Sequence, residues 1–278
     1  EVAAVQGNIA QSLKWNSLEL AVLRYETMTR AAAARRPKLI VWPETVIPTV
    51  LDRDPILTNR FAGLAVASHA TLVVGSESEH GRRLYNSLFV FQPDGTYATY
   101  DKRQLVPFAE SFPGRRVLSW LPYVGELSGR FGTGRVDAVY PTAALSIAPL
   151  ICWESAFSDL SYAQIRRGAQ LLVVSTDDAW FGTTSGPYMH AQIAQLRAVE
   201  SGAYVVRAAA TGISGVIAPD GSWQRRSRME EQVVVTGKVG PRAATFFASI
   251  GPVPVALALA ALYVAILLGG RKRGDVAG

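Results

Sequence analysis

The chain has little of what cross-linked or metal-clustered folds depend on: of its 278 residues one is cysteine and three are histidine. A single cysteine, Cys152, excludes an intramolecular disulfide and any cysteine-rich metal cluster. His69, His80 and His190 are too far apart for a metal-ligand spacing such as H-E-x-x-H, so no metal is expected. Phosphate-cradling signatures are missing too. Neither a Walker loop nor G-x-G-x-x-G occurs, which removes the expectation of a nucleotide cofactor, and no G-x-S-x-G elbow marks a serine hydrolase. Charge of one sign is not massed anywhere. The net charge is +6, but Arg35-Arg36, Arg115-Arg116, Arg166-Arg167 and Arg225-Arg226 are scattered rather than aligned on one face, which argues against nucleic acid and in favour of contact with anionic lipid.

What the chain does have is apolar content. Hydrophobic residues make up 49% and charged residues 18%, with a mean hydropathy of +0.16. The excess is concentrated near the end, where residues 246–268 carry no charge, a length that matches the roughly 20 residues needed to span a bilayer. This stretch reads as one transmembrane helix. Pro252 and Pro254 weaken its first turns, so its firm part is expected at 255–268. Arg271-Lys272-Arg273 follows directly, and positive residues flanking a span mark the cytoplasmic side. The expected organisation is therefore an extracytoplasmic catalytic domain over 1–245, a span over 246–268 and a short basic cytoplasmic tail over 269–278, in a cell (inner or plasma) membrane. A lone unpaired cysteine in such an oxidising compartment points to a thiol kept for chemistry. The chain opens at Glu1 without methionine, and Val2-Ala3-Ala4-Val5 already reads as a strand, so an upstream portion is expected.

Within 1–245, short apolar runs alternate with amphipathic stretches, the pattern of α/β layering. Strands are predicted at 2–6, 39–42, 72–75, 87–91, 144–151, 171–175 and 205–209, and helices at 17–34, 55–68, 155–167 and 187–202. Pro93-Asp94-Gly95 and Pro219-Asp220-Gly221 read as two hairpin turns and hint at two related half-sheets. Residues 111–135, with Leu118, Trp120, Leu121, Tyr123 and Val124, form a long irregular stretch that is a candidate lid.

Three residues could carry chemistry. Cys152 follows an apolar run and precedes a helix start, a turn that exposes a nucleophile and whose backbone N–H groups would lower its pKa from the free value of about 8.5. Glu44, in Val41-Trp42-Pro43-Glu44, lies where proline ends a strand, at the sheet edge where α/β ligand sites collect. Partial desolvation by Trp42 would raise its pKa and fit it to take a proton from a thiol. Lys102 lies just beyond the strand that follows the first Pro-Asp-Gly turn and could stabilise developing negative charge.

In this order, these segments resemble the nitrilase superfamily. Val5-Gln6-Gly7-Asn8, Gln11-Ser12-Leu13-Lys14-Trp15, Val41-Trp42-Pro43-Glu44, Leu105-Val106-Pro107-Phe108, Ile151-Cys152-Trp153-Glu154 and Asp178-Ala179-Trp180-Phe181-Gly182 look like its apolipoprotein N-acyltransferase branch. The resemblance implies an α/β fold, a nitrilase-like αββα sandwich with the C-terminal transmembrane helix. It further implies Glu44 as general base, Lys102 as oxyanion stabiliser and Cys152 as the acylated nucleophile. Glu110, Trp153 and Glu154 match supporting positions, Trp15 and Asn86 match residues needed for activity, and Trp180 with Phe181 could keep water from an acyl-enzyme.

Two departures stand out: Asp177 occupies a place where many relatives carry asparagine, and Ala109 one where glycine is common. The family also carries a bundle of membrane spans before the catalytic domain that this chain does not contain. The implied reaction passes an acyl chain from a phospholipid donor, through a Cys152 thioester, to the N-terminal amine of a diacylglyceryl apolipoprotein, with no cofactor and in a monomer. Two alternatives stay open, a membrane-tethered carbon-nitrogen hydrolase in which water attacks the acyl-enzyme, and a catalytically silent scaffold.

Overall fold

The computed structural model describes residues 1–14, 17–111, 131–135 and 138–274. Trp15 and positions 112–130 of the candidate lid lie outside the described residues.

Two sheets carry the fold. The first has seven strands in the order β12 (Val233–Gly237), β1 (Val2–Gln6), β2 (Leu39–Val41), β4 (Thr71–His80), β5 (Arg83–Phe91), β6 (Tyr97–Asp101), with β3 (Ile47–Val50) pairing beside β4. The second has five, β11 (Trp223–Arg226), β10 (Gly215–Ile217), β9 (Tyr204–Ala209), β8 (Leu171–Thr176), β7 (Ile147–Ile151). Strands β1, β2 and β4 are parallel and continue into the antiparallel β5 and β6; β7, β8 and β9 are parallel and continue into the antiparallel β10 and β11. The two half-sheets hinted at by the sequence are thus repeats of one pattern, and both Pro-Asp-Gly turns make their hairpins. They do so with the same local chemistry. Asp94 Oδ1 accepts from Thr96 N at 2.9 Å and Asp220 Oδ1 from Ser222 N at 2.9 Å, while Gly95 and Gly221 take φ of 87° and 83°.

Alternation along the strands decides the layers. Val2 and Ala4 of β1, Leu39 and Val41 of β2 and Val73 of β4 face Ile147, Leu171, Val173, Val206 and Val216 of the other sheet, forming the central core. The opposite face of the first sheet packs Ala3, Val5, Ile40 and Val74 against α2 (Leu18–Ala33) and α3 (Pro55–Ser68). The opposite face of the second packs Ala148, Leu172 and Val205 against α4 (Ser158–Arg166) and α5 (Gly186–Ser201). The result is an αββα sandwich. The predicted helix at 55–68 has its expected punctuation: the Asp54 side chain caps Leu57 N at 2.9 Å, Pro55 fills the first turn, and His69 ends the helix at φ 49°. A short helix, α1 (Gln11–Lys14), follows β1.

Several expectations shift. The predicted helix at 155–167 is preceded by a 3₁₀ turn, Cys152–Ala156, and α4 begins only at Ser158. The strand expected from 144 begins at Ile147, and 233–237, read as no element, is the edge strand β12. The run 246–268 forms two helices, α6 (Phe246–Ile250) and α7 (Pro252–Gly274), interrupted at Gly251 with φ 77°. Pro252 and Pro254 occupy the first turn of α7, where an N–H has no intrahelical acceptor to lose, so this helix starts before 255 and continues through residues 271–273. Leu257, Leu259, Leu262 and Ile266 on it are exposed. Among the described residues, no helix is long and apolar enough to cross a membrane.

Candidate active site

The first parts of the site lie where strands stop. Trp42, fully buried against Tyr25 and Phe61, donates Nε1–H to Thr29 Oγ1 at 2.8 Å and so fixes the exit of β2. Pro43 then ends the ladder, and Thr45 turns with φ 48°. The chain can pass this close to β4 because residue 75 is glycine; a Cβ there would overlap the Pro43 carbonyl oxygen. Glu44 is left buried, its carboxylate directed into a polar cluster.

Every oxygen of that carboxylate is engaged. Oε1 accepts from Asn86 Nδ2 at 2.7 Å and from Lys102 Nζ at 3.0 Å, and Oε2 accepts from Asp177 N at 2.9 Å. Lys102, 1% exposed at the end of β6, also donates to Glu110 Oε1 at 2.9 Å. Asn86, expected at a strand start, lies inside β5; its Nδ2 donates to Glu44 and, at 3.1 Å, to Glu110 Oε1. Glu110 Oε2 accepts from Val106 N at 2.8 Å and so closes the loop that carries it. One ammonium therefore stands between two carboxylates.

Cys152 leaves β7 with φ 51°, a left-handed conformation that side chains enter at a cost of about 1–3 kcal/mol. Glu154 ties this elbow to the lysine loop. Its Oε2 accepts from Ile151 N at 2.7 Å and Tyr100 Oη at 3.0 Å, and its Oε1 from Arg103 N at 2.6 Å and Gln104 N at 3.1 Å. The half-buried thiol is close enough to Glu44 and Lys102 for their charges to act on it.

The electrostatics correct two expectations. Burial pushes the Cys152 thiol well above its ordinary range and Glu44 pushes it further, outweighing Lys102; the 3₁₀ turn of five residues is too short to act as the cationic helix end that was expected to lower it. Glu44 was expected to rise. Burial does act upward on it, but the charge of Lys102 and the hydrogen bonds from Lys102, Asn86 and Asp177 hold it below the usual carboxylate range. Burial works against the Lys102 ammonium, yet Glu44 and Glu110 together raise its pKa. Burial raises Glu154 in spite of its three backbone donors. The resting site thus holds a carboxylate, an ammonium and a neutral thiol.

Exposed apolar side chains sit on the segments that carry or flank the cluster. Phe108 on the lysine loop, Trp153 beside the thiol, Trp180 and Phe181 after β8, and Tyr188 and Met189 at the start of α5 are all exposed, Trp180 by 78%. Beneath the thiol lies a network that sequence reasoning missed. Asp178, His190 and Arg207 are buried together, with Arg207 Nη2 donating to Asp178 Oδ2 at 2.6 Å and His190 Nδ1 standing 2.8 Å from Asp178 Oδ1. A signal existed in Val205-Val206-Arg207-Ala208-Ala209: an arginine inside an apolar strand requires a buried carboxylate. Among the described residues, no group of three or more His, Cys, Asp or Glu side chains could hold a metal ion.

Residues 1–242 match the family profile described as Carbon-nitrogen hydrolase. An apolipoprotein N-acyltransferase of Geobacter metallireducens is 38% identical over 250 residues, covering 86% of this chain and 47% of that protein. One from Pseudomonas putida is 32% identical over 279 residues, covering 98% and 54%. The chain spans about half the length of the curated relatives it matches. Among solved structures, a carbon-nitrogen hydrolase superfamily protein of Xanthomonas campestris superposes with a TM-score of 0.67 at 19% identity, over 86% of this chain and 89% of that one. The Caenorhabditis elegans NitFhit protein gives 0.67 at 21%, over 84% and 58%. These two likenesses speak for the fold.

Proposed function

Because this chain belongs to the carbon-nitrogen hydrolase family, we propose that it is the catalytic part of an acyltransferase that moves an acyl chain from a phospholipid to the N-terminal amine of an S-diacylglyceryl-cysteine apolipoprotein. The observation that carries this reading is the buried Glu44–Lys102–Cys152 cluster with exposed apolar side chains, Phe108, Trp153, Trp180 and Phe181, on the segments that carry or flank it. Such side chains fit a substrate that is itself apolar. The names of the relatives point the same way.

In the first half-reaction Cys152 Sγ attacks the acyl ester carbonyl while Glu44 accepts the thiol proton. With the thiol's pKa raised and that of Glu44 lowered, the proton stays on sulfur at rest and moves only as the carbon–sulfur bond forms. Lys102 stabilises the tetrahedral oxyanion. As that intermediate collapses, the lysophospholipid alkoxide leaves and takes the proton from Glu44, giving a Cys152 thioester. In the second half-reaction the lipoprotein amine attacks the thioester, gives its proton to Glu44, and releases the N-acyl product; the proton returns to Cys152. Glu110 and Asn86 hold Lys102 and Glu44 in register, Glu154 holds the elbow, and Trp153 and Trp180 line the acyl path. Helix α7, with its exposed leucines, supports contact with a membrane surface.

The test is product identity. Detergent-solubilised protein incubated with phospholipid and a diacylated lipopeptide should release lysophospholipid and N-acyl lipopeptide in equal amounts. Release of lysophospholipid with an equal amount of free fatty acid and no N-acyl lipopeptide, unaffected by the lipopeptide, would replace the transferase by a hydrolase. Failure to consume phospholipid at all would leave the scaffold reading.

A further inference from the structure

The buried network under Cys152 has no part in the proton and acyl transfers just described, yet burial of its charges is expensive. Arg207 is 0% exposed, donates Nε–H to Ile213 O at 3.0 Å and Nη2–H to Asp178 Oδ2, and keeps Nη1 without a hydrogen-bond partner among the described atoms. A charge kept in so costly a place calls for a use. The chain also closes tightly around it: residue 212 is glycine, and a Cβ there would overlap Asp178 Oδ2.

The network ends on the nucleophile's own peptide. His190 Nε2 stands 3.1 Å from the Cys152 carbonyl oxygen and 3.0 Å from Ser155 Oγ, and the Ser155 hydroxyl donates to the same carbonyl at 2.9 Å. That carbonyl shares a planar, trans peptide unit with Trp153 N–H, so holding the oxygen aims the N–H in the opposite direction. Trp153 lies before the first intrahelical bond of its 3₁₀ turn, so its N–H has no acceptor inside that turn. Cys152, at φ 51°, would relax away from this arrangement if nothing held it.

We propose that Asp178, Arg207 and His190 form a positioning relay that clamps the Cys152 carbonyl and thereby fixes the Trp153 N–H as an oxyanion donor during acylation. Arg207 and Asp178 set the imidazole, and the imidazole and Ser155 set the peptide plane. Hydrogen bonds to the carbonyl also polarise the peptide and strengthen its N–H as a donor. The inference rests on the acyl-transfer reading and adds the reason why a buried histidine sits behind the thiol.

Two reactions of the same sulfur separate this role from a merely structural one. Acylation by p-nitrophenyl butyrate develops an oxyanion; methanethiolation by methyl methanethiosulfonate, which expels methanesulfinate, does not. Methanethiolation reports on Cys152 alone, since the chain has no other cysteine, and acylation is read as the difference from a Cys152→Ala control. In His190→Gln, acylation followed by intact mass should slow by about 100-fold, the order expected for one lost oxyanion donor, while methanethiolation stays within about twofold of wild type. Should His190→Gln fail to fold, Ser155→Ala removes the other hold on the carbonyl and should slow acylation alone by about 10-fold. Equal slowing of both reactions, or of neither, overturns the proposal. Wild-type protein that reacts with the thiosulfonate but never with the ester would instead overturn the acyl-transfer reading on which it rests.

Discussion

The second strand of each half-sheet ends in a buried carboxylate, and the two have different partners. After β2, Glu44 meets a lysine ammonium and a thiol; after β8, Asp178 meets an arginine guanidinium and an imidazole. Burial acts upward on both and their cationic partners act downward, taking Glu44 below its ordinary range and Asp178 to about 2. What differs is the exchangeable proton. Glu44 has a neutral thiol beside it that can surrender one as a bond forms, whereas Asp178 is fixed between an arginine that does not deprotonate and a ring that it orients. One topological position, repeated, thus supplies a base in one half and an anchor in the other.

That contrast breaks most sharply at Glu44. Glu44→Gln should slow ester acylation of Cys152 by about 10³-fold, within the span of general-base effects, and should cost less stability than Asp178→Asn because Lys102 keeps Glu110 as a partner. Asp178→Asn should do the reverse in magnitude, leaving Arg207 uncompensated and lowering unfolding free energy in urea by about 3–5 kcal/mol. An equal loss of stability in both variants would erase the distinction.

Acid unfolding sharpens it. The folded value of Asp178 lies below its unfolded one, so its contribution is fully present above about pH 4 and is lost as pH falls toward about 2, amounting to about 2 kcal/mol. Glu44 contributes with the same sign, lost as pH falls through its lowered folded value. Stability measured against pH in wild type should fall across this window, and Asp178→Asn should lack the share that Asp178 contributes. A variant curve parallel to wild type would contradict the assignment.

The hairpins provide the smallest test, because there the two halves are the same. Asp94→Ala and Asp220→Ala each remove an Asx turn made by one carboxylate oxygen to the residue two positions on. Both should lower Tm slightly and by nearly equal amounts in calorimetry; a large effect at one turn alone would show that the repeats are not equivalent there.

Glu44, Lys102 and Cys152 could be nominated from the sequence because each lies just past a strand, where such sheets collect ligand sites, and because their segments resemble one family; that the three side chains meet could not be read from it. Both Pro-Asp-Gly hairpins were legible from turn chemistry alone. The relay was not, since Asp178, His190 and Arg207 belong to a strand end, a helix and another strand, and only tertiary packing unites them. The directions of the Glu44 and Cys152 shifts were misread for the same reason. Each depends on which charge lies across the site, and the sequence shows only neighbours along the chain. Edge strand β12 escaped because its pairing partner, β1, lies over two hundred residues away.

The most direct measurement is the intact mass of the protein after incubation with phospholipid in detergent, for wild type and Cys152→Ala side by side. A gain of one acyl chain in wild type, absent from Cys152→Ala and removed by a diacylated lipopeptide, is the predicted result. An adduct of the same mass on Cys152→Ala would contradict it, because the acyl group would then sit on some other residue.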